Sequence, residues 1–310
     1  MLEIISGKDI QAEAKRLGFS LCGFAQAESL DHQRAFFTTY LEEKRHAGIT
    51  YLEKNLEKRL DPKQVMPEAN TVIGLMVNYF PKETIPVEYN FIIAKYAYGL
   101  DYHLFMKKRL NLLAEFLKNQ SDGIKAVPFI DSGTIQEKVW AQRCGLGWQG
   151  KNTILINKKR GSFFFIGIIL TNLRIEPDIP ETSHCGSCER CIKACPTGAL
   201  DRPYQLNVFR CLAYQTIETK NDIPEEFISK QNDRIFGCDI CQDVCPFNHH
   251  AVPHDEPELD LSDTLKKMRK PDWRAMTEED FNRIFRQSSI RRTGYEKLKR
   301  NMKGKDHQVQ

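Results

Sequence analysis

Two cysteine runs dominate the chemistry available to this chain. The first is Cys185-x2-Cys188-x2-Cys191-x3-Cys195-Pro196, the second Cys238-x2-Cys241-x3-Cys245-Pro246, and Cys211 lies between them. Together they supply the eight thiolates that two cubane [4Fe–4S] clusters need. In this spacing three sulfurs wrap one face of a cube and the fourth Cys points to the other cube. The expected partition is Cys185, Cys188, Cys191 and Cys245 on one cluster, with Cys195, Cys211, Cys238 and Cys241 on the second. Pro196 and Pro246 fix φ and remove a donor where the chain turns away. Structural zinc takes separated Cys pairs around one ion, not an unbroken run of this kind. Disulfides would need an oxidising compartment, and Met1 to Lys15 alternates charge and apolar residues without a signal-peptide core. The chemistry expected is one-electron transfer in a reducing cytoplasm.

Outside the cysteines, Asp131 is the main candidate for acid–base work. It follows the apolar run Ile124 to Ile130, where the carboxyl end of a strand can present a residue to a ligand. The competing role is helix capping, but Thr134-x-x-Glu137 reads as a capping box and takes that task. A carboxyl in a closed apolar site would have its pKa raised by desolvation and could act as a general acid. Tyr102 and His103 open a long helix; packing with a satisfied imidazole is the plain reading, a pocket role the sharper one. Asp101-x-His103 begins the Asp-x-His-x-x-Gly pattern that supplies a histidine ligand to cobalt, but Met106 occupies the glycine position and the pattern fails. The turn Gly145-Leu146-Gly147-Trp148-Gln149-Gly150-Lys151-Asn152 is glycine-dense and permits close approach to a bulky ligand. It is neither a phosphate-binding Walker loop nor a Rossmann fingerprint, because it lacks the Lys-Ser/Thr ending and follows a helix. Cys22 reads as inert packing, Cys144 as a helix-end thiol that could be exposed, and His249-His250 as a polar loop.

Several elements must position these groups. Lys8 to Leu17 and Leu30 to Lys44 read as helices, and Phe19 to Phe24 and Thr71 to Val77 as strands. Asp101 is placed to cap a helix running to about Lys118. Thr134 to Cys144 reads as a helix stopped by Gly145. Asn152 to Asn157 and Ser162 to Leu170 read as a strand pair around the basic turn Lys158-Lys159-Arg160-Gly161. A Pro-rich connector, Glu176 to Pro180, leads into the cluster module. This gives an α/β domain over 1–175, a two-cluster ferredoxin-like module over 176–255 and a helical tail over 256–310.

The chain has 310 residues, 41% hydrophobic and 28% charged, the composition of an ordinary globular protein. Its longest apolar run, Phe163 to Leu170, is far short of the ~20 residues needed to span a bilayer, so no membrane partner is expected. Net charge is +4, yet Leu261 to Gln310 holds 14 Lys and Arg against 7 Asp and Glu, so the tail carries +7 and the rest −3. Such an excess suits a polyanion; a solvated surface helix is the plainer alternative.

Ile130-Asp131-Ser132-Gly133, the Gly145 to Asn152 turn, the double cysteine motif and Ser289-Ile290-Arg291-Arg292 together resemble the epoxyqueuosine reductase family, in order and spacing over nearly the whole chain. That resemblance implies a cobalamin-binding α/β domain of the reductive-dehalogenase and nitroreductase type. It implies reduction of the cyclopentane epoxide of epoxyqueuosine at the tRNA wobble position, with base-off cobalamin and an external flavodoxin- or ferredoxin-like donor. Asp131 matches the family's proton donor, and Tyr102 and His103 its pocket residues. Lys54, Lys95, Arg143, Lys151 and Asn152 are candidates for the corrin amides or nucleotide phosphate. Ala94 stands where some relatives carry a Cys facing cobalt, so no thiol there is essential. Longer members continue into helical repeats; here the tail, through Arg291, Arg292, Lys297, Lys299 and Arg300, is expected to hold RNA phosphates. Two rivals remain at this point: a corrinoid small-molecule reductase, which needs no polyanion, and an electron-transfer protein, which needs no cobalamin.

Overall fold

The computed structural model describes residues 5–131 and 134–303. Ser132 and Gly133 of the Asp131 motif, and the tail beyond 303, lie outside them. The first helix, α1 (Gly7–Arg16), is closed at its start by a reciprocal capping box between Ser6 and Asp9. Strand β1 (Leu21–Gln26) follows, and the expected second helix shortens to Arg34–Glu42 behind a 3-10 turn. Strands β2 (Thr71–Asn78) and β3 (Ile92–Ile93) lead to α2 (Tyr102–Lys118), where the Asp101 carboxylate accepts from the His103 N–H at 2.9 Å. Then come β4 (Ala126–Phe129), α3 (Glu137–Arg143), β5 (Trp148–Gln149), β6 (Leu155–Ile156) and β7 (Phe164–Thr171).

Strands β1, β2, β7 and β4 form one sheet in that order, antiparallel throughout. In β2, Ile73, Leu75 and Val77 face one core with α1 and α2, while Val72 and Met76 face a second core with Trp140 and Ala141 of α3. Phe165 and Ile169 of β7 join the first core, Phe164, Ile168 and Leu170 the second. Helices on both faces therefore explain why these strands read as unbroken apolar runs.

That same burial overturns the expected hairpin. Asn157 and Gly161 do bridge across the basic turn, but the flanks part: β6 pairs with β5, and β7 enters the sheet between β2 and β4. A strand apolar on both faces gains more from the covered centre of the sheet than from a two-stranded ribbon. The expected capping box also fails. Helix α3 starts at Glu137 behind Gln136, with no side-chain cap, and the Glu137 carboxyl accepts the N–H of Asp131 instead. Cys144 is buried, 1% exposed, with Sγ 3.5 Å from the Val72 carbonyl, so it is not an exposed thiol.

A third core joins distant segments. Ile85, Phe91, Ile93 and Tyr98 pack with Ile235 and Phe236 and with Trp273, Phe281, Phe285, Ile290 and Leu298 of the C-terminal region. There β3 pairs in parallel with β8 (Arg234–Phe236), and the last helix, α4 (Tyr295–Met302), lies alongside. The C-terminal region is thus packed onto both the β2–α2 connection and the cysteine module. Trp273 is fully buried, donates to Asn90 Oδ1 at 2.7 Å and stacks on Phe285. Trp273→Ala should cost about 3–5 kcal/mol from the missing packing and the cavity left behind; a urea midpoint shift of under one kcal/mol equivalent would contradict this core.

Candidate active site and cluster module

The short loop after β4 brings Asp131 to the start of α2. Asp131 sits at φ +51°, a left-handed conformation unusual for a residue with a Cβ, and its amide is held by Glu137. Its carboxylate accepts from the Tyr102 hydroxyl at 2.5 Å, and Oδ2 lies 3.2 Å from His103 Nε2. Tyr102 in turn lies flat on Phe165, ring centroids 4.8 Å apart. So the sheet core fixes Tyr102, and Tyr102 fixes Asp131.

His103 is the hub. Nδ1 lies 2.9 Å from Asp101 Oδ1, while Nε2 faces both Asp131 and Nη1 of Arg292 at 2.9 Å. A neutral ring with its proton on Nδ1 accepts from Arg292; a doubly protonated ring donates to Asp131 instead. Arg292 also has a carboxylate within reach, Asp101 Oδ2, 3.3 Å from its Nε. Burial pulls the His103 pKa down, but the bonds to Asp101 and Asp131 outweigh it and the net shift is upward. For Asp131 the His103 bond lowers the pKa, burial opposes, and Tyr102 lowers it further; the net is downward. The expectation of a raised Asp131 pKa is therefore corrected. The side chain keeps 57% of its surface open to water and has two donors, so it is an anion here. The raised carboxyl is its neighbour: burial pushes Glu137 up to about 8. Sequence reasoning assigned Glu137 to a cap and so missed it.

The cysteine module presents its thiols in two places. Cys185, Cys188, Cys191 and Cys245 border one pocket, closed by Pro246, Phe247, Ile156, Lys151, Asn152 and Arg190. The fully buried Trp148 donates from Nε1 to Cys185 Sγ at 3.4 Å. In the other group, Cys241 feels the charges of Cys238, Cys211 and Cys195. Burial pushes the Cys238 thiol up to about 12 and the Cys211 thiol upward as well. The Ala199 N–H points at Cys195 Sγ, 3.3 Å away. Among the described residues no three His, Cys, Asp or Glu side chains converge on a point that would hold a single ion. Four sulfurs around a pocket suit a cube better than a lone zinc.

The remaining candidates scatter. Ala94 is buried against Gly237, beside Cys238; a Cβ on Gly237 would come within 2.6 Å of it. Lys95 bonds Asp243 at 2.6 Å, and its amide bonds Asp239. Lys151 Nζ donates to the Gly186 carbonyl and Asn152 to that of Cys241, so both serve the cysteine module. Arg143 pairs with Glu28, away from Asp131. Lys54 is exposed, with no ion pair among the described residues. Gly145 and Gly147 of the glycine-dense turn admit the chain's own backbone: a Cβ on Gly147 would collide with the Ile156 carbonyl, and one on Gly145 with that of Ile179. In the tail, Lys297 donates to Ile217 O, Lys299 to Arg274 O, and Arg300 to Thr219, Asn221 and Gln215 O. These three cations are structural ties. Arg291 is exposed, and Arg292 reaches His103. Tyr51 was also missed: it is 62% exposed and its phenol feels Asp131 and Glu218.

Comparison with known proteins agrees with this arrangement. Residues 59–132 match the family model described as epoxyqueuosine reductase QueG, DUF1730, and residues 184–248 match a 4Fe-4S double cluster binding domain. An epoxyqueuosine reductase of Cellulophaga algicola is 41% identical over 293 residues, 94% of this chain and 95% of the relative. A crystal structure of an epoxyqueuosine reductase with a tRNA-Tyr epoxyqueuosine-modified stem loop superposes with TM-score 0.88 at 31% identity, covering 95% of this chain and 79% of that one. A Bacillus subtilis epoxyqueuosine reductase, described with its catalytic aspartate loop swung out of the active site, superposes equally well over the same shares, at 31% identity. The chain belongs to the epoxyqueuosine reductase family of oxidoreductases and contains a double [4Fe–4S] cluster binding domain.

Proposed function

We propose that this protein reduces the cyclopentane epoxide of epoxyqueuosine at the wobble position of tRNA to the alkene of queuosine, consuming two electrons and two protons and releasing water. What supports the reading is the Asp131 carboxylate hydrogen-bonded by Tyr102 and His103, in a chain 31% identical over 95% of its length to a reductase crystallised with the modified stem loop. Cys185, Cys188, Cys191 and Cys245 hold one cluster; Cys195, Cys211, Cys238 and Cys241 hold the other. An external one-electron donor supplies them, and the setting is the cytoplasm; no helix among the described residues is long and apolar enough to cross a membrane. The three divisions 1–175, 176–255 and 256–310 carry the substrate chemistry, the clusters and the RNA.

Cobalamin fits the residues around Asp131. Tyr51, Tyr96, Glu137 and Lys138 lie near enough to feel the Asp131 charge, and they bring phenol rings and polar groups suited to a macrocycle fringed with amides. Tyr102, His103 and Lys54 are the positions proposed to face it; Ala94 is covered by Gly237, and Lys95, Arg143, Lys151 and Asn152 would have to give up their present partners. When bound, the corrin cobalt supplies the electron-rich centre that opens the strained ring. The chain relays the proton taken up as the C–O bond breaks. Held on His103, it reaches the departing oxygen through Asp131 Oδ2 across the 3.2 Å contact. The second proton, which completes the water released, comes from solvent. A loaded site sheds water around Asp131, which raises its affinity for that proton.

Binding separates this reading from a small-molecule reductase. Affinity for a modified anticodon stem-loop should fall steeply with added salt. Arg291→Glu should lower it and flatten the log–log salt slope by about one for each phosphate that the chain no longer neutralises. Salt-insensitive turnover of a small halide, with no stem-loop affinity, would favour the rival.

A further inference from the structure

The basic turn Lys158-Lys159-Arg160 takes no part in the Asp131 site or in holding the clusters. All three side chains are exposed, with no carboxylate partner among the described residues. Its position is fixed from the cysteine module. Asn157 and Gly161 bridge its base, and Gly161 is pressed so closely on Asn248 that a Cβ would collide with Oδ1. Asn248 also accepts the Ser162 N–H at 2.7 Å and donates to the Gln242 carbonyl at 2.6 Å. It stands three residues after Cys245, so the base of the turn is tied beside the segment that supplies Cys245 to the pocket of Cys185, Cys188 and Cys191. Lys151 and Arg190 line the same pocket, and Arg190 is exposed without an ion pair among the described residues. Against these five cations the nearby acids are Glu189, tied loosely to Lys193, and Glu181, bonded to His184.

The two cysteine groups differ in their surroundings, although Cys245 of the first is buried and the four thiols of the second are half-buried. Cys185, Cys188 and Cys191 sit on a strip whose neighbours Gly186, Ser187, Glu189 and Arg190 are exposed or half-buried. The other group adjoins Ala94 and Tyr96, and Tyr96 packs edge-on against Tyr102 of the Asp131 site with ring centroids 6.0 Å apart. Electrons entering from outside therefore meet the Cys185 group first.

We propose that the rim formed by Lys158, Lys159, Arg160 and Arg190 is the docking surface for an acidic one-electron donor protein, which passes one electron per encounter to the oxidised outer cluster, the donor being oxidised by one electron. Two encounters serve one epoxide. The inference rests on the relay reading above. Complementary charge steers encounter and sets its salt dependence.

The test is stopped-flow bleaching of the assembled clusters by the hydroquinone of a flavodoxin carrying net negative charge, with reduced methyl viologen, a small cation, as the second reductant. The wild-type rate with flavodoxin should fall steeply with added KCl. Lys158→Glu/Lys159→Glu/Arg160→Glu should lower it roughly tenfold or more at low salt, leaving the methyl viologen rate, the iron and sulfide content and the stem-loop affinity unchanged. An unchanged flavodoxin rate would overturn the proposal. So would a fall in stem-loop affinity alone, which would give the rim to RNA, or slowing with both reductants, which would make the turn a support for the cluster. Failure of the relay reading itself appears separately, as clusters that methyl viologen reduces without any queuosine being formed.

Discussion

Asp131→Asn should lower queuosine formation by about two orders of magnitude or more, the usual range for removing a general acid, while iron, sulfide and cobalamin contents stay at wild-type levels. The substitution is nearly isosteric. Asparagine keeps an oxygen to accept the Tyr102 hydroxyl, and the backbone bond to Glu137 does not depend on the side chain. What disappears is the ability to take a proton from His103 and give it up again. The measurement is single-turnover product formation with pre-reduced enzyme, which separates the proton step from electron supply. Turnover near normal would remove Asp131 from the acid role and leave His103 as the direct donor. Electron delivery is not expected to change, because the cysteines lie on other segments.

His103→Gln should remove the alkaline limb of the pH–rate profile and lower the maximum rate by roughly tenfold to a hundredfold, the smaller share of a general-acid effect that Asp131 can still supply from water. The sign follows from the two shifts. His103 titrates above its ordinary value, so the imidazolium persists to higher pH than a free one and is lost as pH rises through that elevated value. Asp131 titrates below its ordinary value, so its carboxylate is kept until pH falls well into the acid range. Between the two, the pair holds one proton, on the ring. Wild-type turnover should therefore decline on the alkaline side, above the ordinary imidazole range. Glutamine cannot titrate, and with it that decline should vanish. An unchanged alkaline limb would assign it to another group, such as Glu137, which burial pushes up to about 8.

Much of the site could be read from residue types and spacing. The cysteine runs were legible from their spacing, although the pocket bordered by Cys185, Cys188 and Cys191 is completed by the distant Cys245. Asp101 as a cap was legible because its partner is the His103 amide two residues on. Asp131 was found by its position after a strand, although the argument that freed it was mistaken: Thr134 does not cap α3, and Glu137 serves the Asp131 amide. What sequence did not show was set by distant partners. Strand β7 abandons its local hairpin for a place between β2 and β4, a choice decided by burial on two faces. Lys297, Lys299 and Arg300 look like free cations in a string of letters, but the carbonyls of 215–221 and 274 claim them once the tail packs. Arg292, 189 residues from His103, reaches into the Asp131 site only because Ile290 is buried in the third core beside it. This last link ties the charged tail to the proton site, so a tail charge and a pocket charge are not independent, and Arg291 is the cleaner probe of RNA contact.

The most direct measurement of the whole account is an anaerobic reaction of the assembled protein with epoxyqueuosine-modified stem-loop, counting electrons consumed against queuosine formed. With about eight iron atoms per chain, as two cubes require, and bound cobalamin, the account predicts two electrons per queuosine and no product when cobalamin is withheld. Queuosine formed at the same rate without cobalamin, or none formed by fully loaded and reduced protein, would contradict it.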